Sequence, residues 1–152
     1  MAKPRFFCDA MLQKLARYLR VAGYSTMFAT SDLSDEQVLE LARKSERILL
    51  TADKPFFARA RHHVPALLLN PRSLSAQLKQ LRQAFKISLK LGALPTRCPV
   101  CDGKLKKVSK KSLAGKVWPR VLKEQKVFWK CENCGHVYWK GSHWKGLKKT
   151  LR

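Results

Sequence analysis

Three aspartates fall at one edge of a predicted sheet, in a chain that is otherwise strongly basic. The chain has 32 Lys and Arg residues and only 10 Asp and Glu residues. Asp9 directly follows the apolar run RFFC, Asp53 comes shortly after RILLT, and Asp35 opens the helix after the second predicted strand. In an open parallel sheet, ligands bind beyond the carboxyl ends of the strands. Because carboxylates gathered at one edge repel each other, we expect Mg²⁺ or Mn²⁺ to hold them together with a substrate phosphate.

These acids also have structural explanations. Asp53 can cap the helix that follows it, and Asp35 can complement the positive end of a helix dipole. Asp9 is harder to explain in this way, because the helix behind it carries Lys14 and Arg17 within reach of a phosphate chain. The convergence of the three positions therefore favours an active site.

The cysteines indicate a second metal site. Four of the five lie in two pairs, CPVC and CENC, which are separated by 29 residues. Two such pairs supply the four thiolates of a closed tetrahedral Zn²⁺ site, whereas a redox motif would use one CxxC near a βαβ unit. Cys8, within the apolar run FFC, is expected to be a buried core thiol. The predicted zinc ligands are Cys98, Cys101, Cys131 and Cys134.

The charge of the chain indicates a polyanionic partner. The formal net charge is +22, and nucleic acid is the first expectation because phosphates that bind Lys or Arg release condensed counterions. No stretch approaches the ~18 consecutive apolar residues of a membrane span, and the N-terminus lacks a signal-peptide pattern. We therefore expect a cytoplasmic protein with no membrane partner.

Aromatic and basic residues are interleaved in the C-terminal stretch VFWKCENCGHVYWKGSHWKGLKK. Bases stack on aromatic rings while lysines follow phosphates, which favours single-stranded or structured RNA, although charge alone does not separate RNA from DNA. So small a domain also needs some rings for its core, and we expect alternate residues of VFW and VYW to face inward. The residues predicted to bind nucleic acid are Lys14, Arg17, Lys130, Trp139, Lys140, His143 and Trp144.

The first part of the chain alternates short apolar runs with amphipathic stretches. The short runs predict strands that are buried on both faces, at residues 5–8, 24–29, 47–51 and 64–69. Apolar residues at spacings of three and four predict helices, at residues 10–23, 34–44 and 73–90. This alternation predicts an α/β fold with a largely parallel sheet flanked by helices.

The composition changes after the segment LGALPT. The residues beyond it are rich in Lys, aromatic residues and Cys, and they show no helical period. We predict two domains: an α/β domain over residues 1–92 and a small, basic zinc ribbon over residues 93–152.

Four stretches, in order, resemble the Mut-7 C-terminal RNase domain family: FCDAMLQKLARYLRVAGY, RILLTADKPF, RCPVCDGKL and YWKGSHWKGL. The resemblance covers nearly the whole chain. It implies a PIN-like parallel sheet, an acid cluster that binds Mg²⁺ or Mn²⁺, hydrolysis of RNA and a zinc ribbon. Within it, Asp9 matches the acid of the first motif, Asp53 that of the Leu-Thr-x-Asp motif, and Asp35 the acid that opens the second helix.

The chain departs from the family pattern in details. Ala52 stands where Arg is usual, and Ser25 stands where Asp is common. PIN-like sites often add a fourth acid, but the end of the fourth predicted strand offers Asn70, which leaves a weakened or three-acid site open. Whether Asp32 or Glu36 joins the site is also open.

The sequence therefore predicts a metal-dependent endoribonuclease. Asp9, Asp35 and Asp53 would hold one or two divalent ions and the zinc ribbon would grip the RNA. The alternative is a non-catalytic module that binds tRNA, ribosomal RNA or an RNA–protein complex, because the charge and the aromatic tail require no chemistry. The physiological RNA, a toxin-like role and the oligomeric state stay open.

Overall fold

The computed structural model describes residues 3–90 and 96–151. Its first half contains a four-stranded parallel sheet with the strand order β2-β1-β3-β4. The predicted parallel sheet is confirmed, and each strand lies within its predicted run. The strands are β1 (Phe6–Cys8), β2 (Thr26–Phe28), β3 (Ile48–Thr51) and β4 (Ala66–Leu68).

Helices cover both faces of this sheet. They are α1 (Gln13–Val21), α2 (Asp35–Lys44), α3 (Lys54–Ala60) and α4 (Leu74–Phe85). Side chains alternate across a strand, so Phe6 and Cys8 of β1 enter one core cluster, with Leu residues of α1 and α4, while Phe7 enters the other, with α2 and α3. Burial on both faces explains why the strands are continuous apolar runs.

Helix α4 ends earlier than predicted. The expected helix over residues 73–90 stops at Phe85, because Lys86 adopts a left-handed conformation with φ of 52°. Leu89 is still fully buried, and the hydroxyl of Tyr24 donates a hydrogen bond of 2.8 Å to the carbonyl of Ser88. The apolar spacing therefore predicted the burial of Leu89 correctly, but the chain reaches the core after a turn rather than along a helix.

The second half contains a three-stranded antiparallel sheet, ordered β5-β6-β7. Its strands are β5 (Leu105–Val108), β6 (Phe128–Cys131) and β7 (Val137–Tyr138). Two helices accompany it, α5 (Pro119–Glu124) and α6 (Ser142–Thr150), so the expectation of no helical period in this half is wrong. The few apolar residues of the last segment are spaced by three and four among lysines, which makes the period short and easy to miss. No helix in the described ranges is long and apolar enough to cross a membrane.

The last helix returns to the first half of the chain. Trp144 and Leu147 pack against the first-half core, and Leu151 is a fully buried member of that core. The predicted domain boundary between residues 92 and 93 lies outside the described residues. The two sheets are therefore joined by packing as well as by the chain.

Arg20 of α1 is the main polar link between the halves. Its Nε donates to the carbonyl of Thr26 at 2.7 Å, and its Nη1 donates to the carbonyls of Pro99 and Val100 at 2.9 and 3.0 Å. The Arg20 side chain is only 5% exposed, and its Nε lies 3.8 Å from a carboxylate oxygen of Asp102. The turn around the first cysteine pair (residues 98–103), which we call the first knuckle, is thus held against α1 and β2; the second knuckle is the turn around Cys131 and Cys134.

Asp102 completes this link from the knuckle side. It adopts a left-handed conformation with φ of 68°, and its carboxylate accepts hydrogen bonds from the Ser25 hydroxyl at 2.7 Å and the Thr26 N–H at 3.0 Å. An Asp at position 25 would place a second carboxylate against Asp102. Ser25 therefore suits this knuckle.

The substitution Arg20→Met is expected to lower the free energy of unfolding by roughly 3–5 kcal/mol, because removing one partner of a buried pair leaves the other charge and its acceptors unsatisfied. Urea denaturation measures this change. The control Arg43→Met removes an exposed arginine that pairs with Glu40, and it should change stability little because solvent screens that pair. Similar losses in the two variants would contradict a special role for Arg20.

Candidate functional site

Asp9 and Asp53 meet at the carboxyl edge of the parallel sheet, on either side of Thr51. Asp9 follows β1 and Asp53 follows β3, and these two strands are neighbours. The Thr51 hydroxyl donates a hydrogen bond to Oδ2 of Asp9 and accepts one from the Asp53 N–H at 3.1 Å. The structure therefore brings two of the three predicted catalytic acids to one place.

Each of these acids also caps a helical turn. Oδ1 of Asp9 accepts from the Met11 N–H at 3.0 Å, and Oδ1 of Asp53 accepts from the Phe56 N–H at 3.0 Å. The expectation that Asp53 can cap the next helix is thus correct. A cap uses only one oxygen, and within the described residues the other oxygen of Asp53 has no hydrogen-bond partner. Capping and ligand binding are compatible at this exposed carboxylate.

The charge of Asp9 is electrostatically unfavourable in its surroundings. Burial raises the pKa of Asp9 above its ordinary value of 3.8, and the neighbouring Asp53 acts in the same direction, whereas hydrogen bonds from Thr51 and Met11 lower it. A cation beside Asp9 would offset both unfavourable effects.

Asp35 has a different partner. It lies in the first turn of α2, whose capping box joins Ser34 and Gln37, and its carboxylate forms a partly exposed ion pair with Arg59 at the end of α3. Asp9, Asp35 and Asp53 do not form a set close enough to share an ion. Within residues 3–90 and 96–151, the four cysteines are the one group of three or more Asp, Glu, His or Cys side chains that meets this condition.

The environment of Asp9 predicts a pH-dependent gain in stability for the substitution Asp9→Asn. The folded-state pKa lies above the ordinary value, so the ionised form destabilises the fold once the pH exceeds that value, and no penalty exists below about 3.8. The variant should therefore exceed the wild type in free energy of unfolding at pH 7, and the difference should shrink towards pH 4. Urea denaturation without added divalent ions measures this difference, with the exposed Glu132→Gln as control. A gain that does not change with pH would contradict the prediction.

The four predicted zinc ligands converge. Their sulfur atoms all lie within 4.8 Å of one another. The Sγ atoms of Cys98 and Cys134 are 3.7 Å apart, and those of Cys101 and Cys131 are 3.4 Å apart. Zn–S bonds of about 2.3 Å in a tetrahedron place sulfurs about 3.8 Å apart, so the four cysteines could bind zinc. Cys8 is fully buried in the first core, as expected.

Backbone N–H groups in both knuckles point at cysteine sulfurs and would stabilise them as thiolates. The Gly103 N–H points at Sγ of Cys101, and the N–H of Cys134 points at Sγ of Cys131, each at 3.4 Å. A Cβ at position 103 would come within 2.7 Å of Sγ of Cys131, so only glycine fits there. The Tyr138 hydroxyl lies 3.0 Å from Sγ of Cys98 and is positioned to donate to it.

Four thiols this close cannot all ionise without a cation. Burial raises the pKa of Cys134 to about 12, and its three cysteine neighbours act in the same direction. A bound Zn²⁺ would compensate the thiolate charges.

The cysteine set predicts one zinc ion per chain. Cys131→Ser should lose most of the zinc, because a serine oxygen is a poor replacement for a thiolate, whereas Cys8→Ala should keep it. The zinc-to-protein ratio of the purified variants, measured by mass spectrometry of the metal, tests this expectation. Equal zinc contents would show that the metal does not lie at these cysteines.

A cavity of about 320 Å³ lies between α1 and the second sheet. Its walls combine five aromatic side chains, Tyr18, Trp129, Tyr138, Trp139 and Trp144, with three cations, Lys14, Arg17 and Arg97. Four of the seven residues predicted to bind nucleic acid thus share one cavity, although they are far apart in the sequence: Lys14, Arg17, Trp139 and Trp144. We call this cavity the aromatic cleft.

The other three predicted nucleic-acid-binding residues are not among those that line the cleft, but Lys140 lies close to two of its rings. Nζ of Lys140 is 5.8 Å from the Trp129 ring centroid and 5.4 Å from that of Trp144. Lys130, which follows Trp129 in β6 and so points to the opposite face, lines a second cavity of about 350 Å³. The side chain of His143 lies outside the described part of the structure.

Sequence reasoning missed several residues of these two cavities. Trp129 is buried beside Phe128, so the expected inward–outward alternation of VFW is wrong, because both faces of β6 are covered. Tyr18 follows Arg17 and Arg97 precedes Cys98 in the sequence, but neither belongs to a motif of its own. Trp118, which is 79% exposed, lines the second cavity. An isolated Trp in a lysine-rich segment was the available signal.

The sequence profile of the Mut7-C RNAse domain matches residues 4–151 of the chain. A human protein named "Exonuclease mut-7 homolog" is 31% identical over 118 residues, which are 75% of this chain but only 14% of the human protein. No solved structure matches the chain significantly. The match extends over both sheets and both candidate metal sites, and the chain therefore belongs to the Mut7-C RNAse domain family.

Proposed function

We propose that the protein is a metal-dependent endoribonuclease whose site lies at Asp9 and Asp53. The observation that carries the proposal is the pairing of these two carboxylates through Thr51 at the carboxyl edge of the sheet, in a chain of net charge +22. Family membership supports a function in RNA hydrolysis. Acids that hold an ion, within a chain whose basic side chains attract phosphates, are the combination expected for hydrolysis of a phosphodiester.

The donor set fits Mg²⁺ or Mn²⁺. Mg²⁺ is bound through one or two carboxylates together with waters and substrate phosphates, and Asp9 and Asp53 supply two such groups with a raised Asp9 pKa that a cation would lower. A bound ion would activate water for in-line attack and stabilise the leaving oxygen.

Residues around the acids would orient the carboxylates and bind the phosphate backbone. Thr51 and the Met11 N–H fix the orientation of the Asp9 carboxylate, and the second oxygen of the exposed Asp53 would be available to the ion. Lys14 and Arg17 would bind the phosphate backbone as it passes the site. Asp35 would join the acids only by leaving Arg59, and Asn70, whose side-chain oxygen accepts from the N–H groups of the next turn, adds no fourth charge.

A non-catalytic RNA-binding module is the second candidate function. It is favoured by the pairing of Asp35 with Arg59, which leaves two acids rather than three at the sheet edge. The human relative is named an exonuclease, but this chain spans 14% of its length. That name therefore does not decide between cleavage at ends and cleavage within a strand.

The proposed reaction predicts cleavage of circular single-stranded RNA, which has no ends, in Mg²⁺ or Mn²⁺ but not in their absence. Asp53→Asn should reduce the rate by about 100-fold or more, because even the outer partners of metal ligands contribute 10–100-fold. Asn can keep the cap to Phe56, so the loss would not reflect unfolding. Gel analysis of labelled circular and linear RNA measures both rates.

The control Asp32→Asn changes an exposed loop acid by the same chemistry and should leave the rate unchanged. Cleavage of the linear RNA alone would indicate an exonuclease. Tight binding without cleavage, equal in the wild type and Asp53→Asn, would support the non-catalytic module.

A further inference from the structure

We propose that the aromatic cleft binds one unpaired nucleotide of the RNA, with its base among the aromatic rings and its phosphate at Lys14 and Arg17. The inference rests on the proposed function for the choice of RNA as the ligand. It adds a defined binding position, at a distance from the acids, that selects unpaired nucleotides.

The size and walls of the cleft suit a single base. Its volume of about 320 Å³ is at the low end of the ~300–1,000 Å³ found for small-molecule pockets. Trp129 and Tyr138 face each other as register partners on β6 and β7, so their rings lie on the same face of the sheet. Aromatic rings around a narrow space accept the flat face of a base taken out of its stack.

The charges at the cleft indicate a phosphate rather than a neutral ligand. Lys14 and Arg17 are exposed, and neither has an acidic group within 4 Å in the parts of the chain that the structure describes. Arg97, in contrast, is paired with Asp102 at 3.5 Å. Two uncompensated cations beside an apolar, aromatic space are complementary to a nucleotide, which joins an anionic group to a planar ring.

Helix α1 connects the cleft to the acid site. Lys14, Arg17, Tyr18 and Val21 all line the cleft, and their spacing puts them on one face of the helix. Lys14 marks the end of the cleft nearer Asp9, since α1 runs away from Asp9 at about 1.5 Å per residue. An RNA strand whose phosphate binds Lys14 would therefore extend towards Asp9 and Asp53.

The test compares three RNA duplexes: one fully paired, one with a single central unpaired nucleotide, and one with an abasic residue at that unpaired position. The test uses the Asp53→Asn variant without added divalent ions, so that the RNA is not cleaved. Binding is measured by tryptophan fluorescence. The duplex with the unpaired nucleotide should bind on the order of tenfold more tightly than the abasic duplex. This ratio is within the range expected for the loss of one base–aromatic stack. The same duplex should also quench the tryptophan fluorescence more strongly.

A substitution in the cleft locates the effect. Val100 is 48% exposed and lines the cleft. The substitution Val100→Glu places a carboxylate among the aromatic rings and cations. The matched control Leu41→Glu makes a similar change at an exposed position of α2. The preference for the unpaired nucleotide should disappear in the first variant and persist in the second. Zinc content confirms that the ribbon is intact in both.

The outcomes separate this inference from the proposed function. Equal binding of the abasic and unpaired duplexes by protein with an intact cleft overturns the inference, even if circular RNA is cleaved. A preference that survives Val100→Glu also overturns it. A preference that depends on the cleft supports it, even if no RNA is cleaved, and in that case only the nuclease proposal fails. No binding of any of the three duplexes overturns the inference, and cleavage of circular RNA then decides the nuclease proposal separately.

Discussion

The burial of the Arg20 guanidinium constrains the rest of the structure. A charge that is removed from water must keep its hydrogen-bond partners, and those of Arg20 come from the sheet, at Thr26, and from the first knuckle, at Pro99 and Val100. The ribbon cannot shift along α1 without leaving this charge unsatisfied. Because α1 also begins just after Asp9 and forms one wall of the aromatic cleft, a single helix fixes the relative positions of the acids, the cleft and the cysteine cluster.

The cysteine cluster therefore affects contacts beyond the ribbon itself. Asp102 lies between Cys101 and Gly103, and its carboxylate accepts from Ser25 and Thr26 of the first half. The knuckle can present those acceptors only while its turn is held by the sulfur cluster. A zinc ion bound at the cysteines would therefore also maintain the contacts between the ribbon and α1, and through them the shape of the cleft.

The features that the sequence predicted are those that local patterns determine. Apolar runs located the four parallel strands, paired CxxC motifs located the cysteine cluster, and helix-capping chemistry was correct at Asp53. The burial of Trp129, the early end of α4 at Lys86 and the pairing of Asp35 with Arg59 depend on segments that are distant in the sequence, so no local period reveals them. The aromatic cleft was predicted only as scattered residues, because its walls come from α1, all three ribbon strands and α6.

Leu151 has a consequence for the synthesis of the protein. This residue is fully buried in the core beneath the parallel sheet, together with Leu residues of α1 and α4. During translation, the sheet emerges from the ribosome well before the residue that completes its core. Domains generally fold as units, and unfinished ones expose apolar surface to chaperones. The core of the parallel-sheet half therefore remains incomplete until the ribbon and α6 have been made, so Asp9 and Asp53 reach their final positions only after the basic C-terminal half has been synthesised.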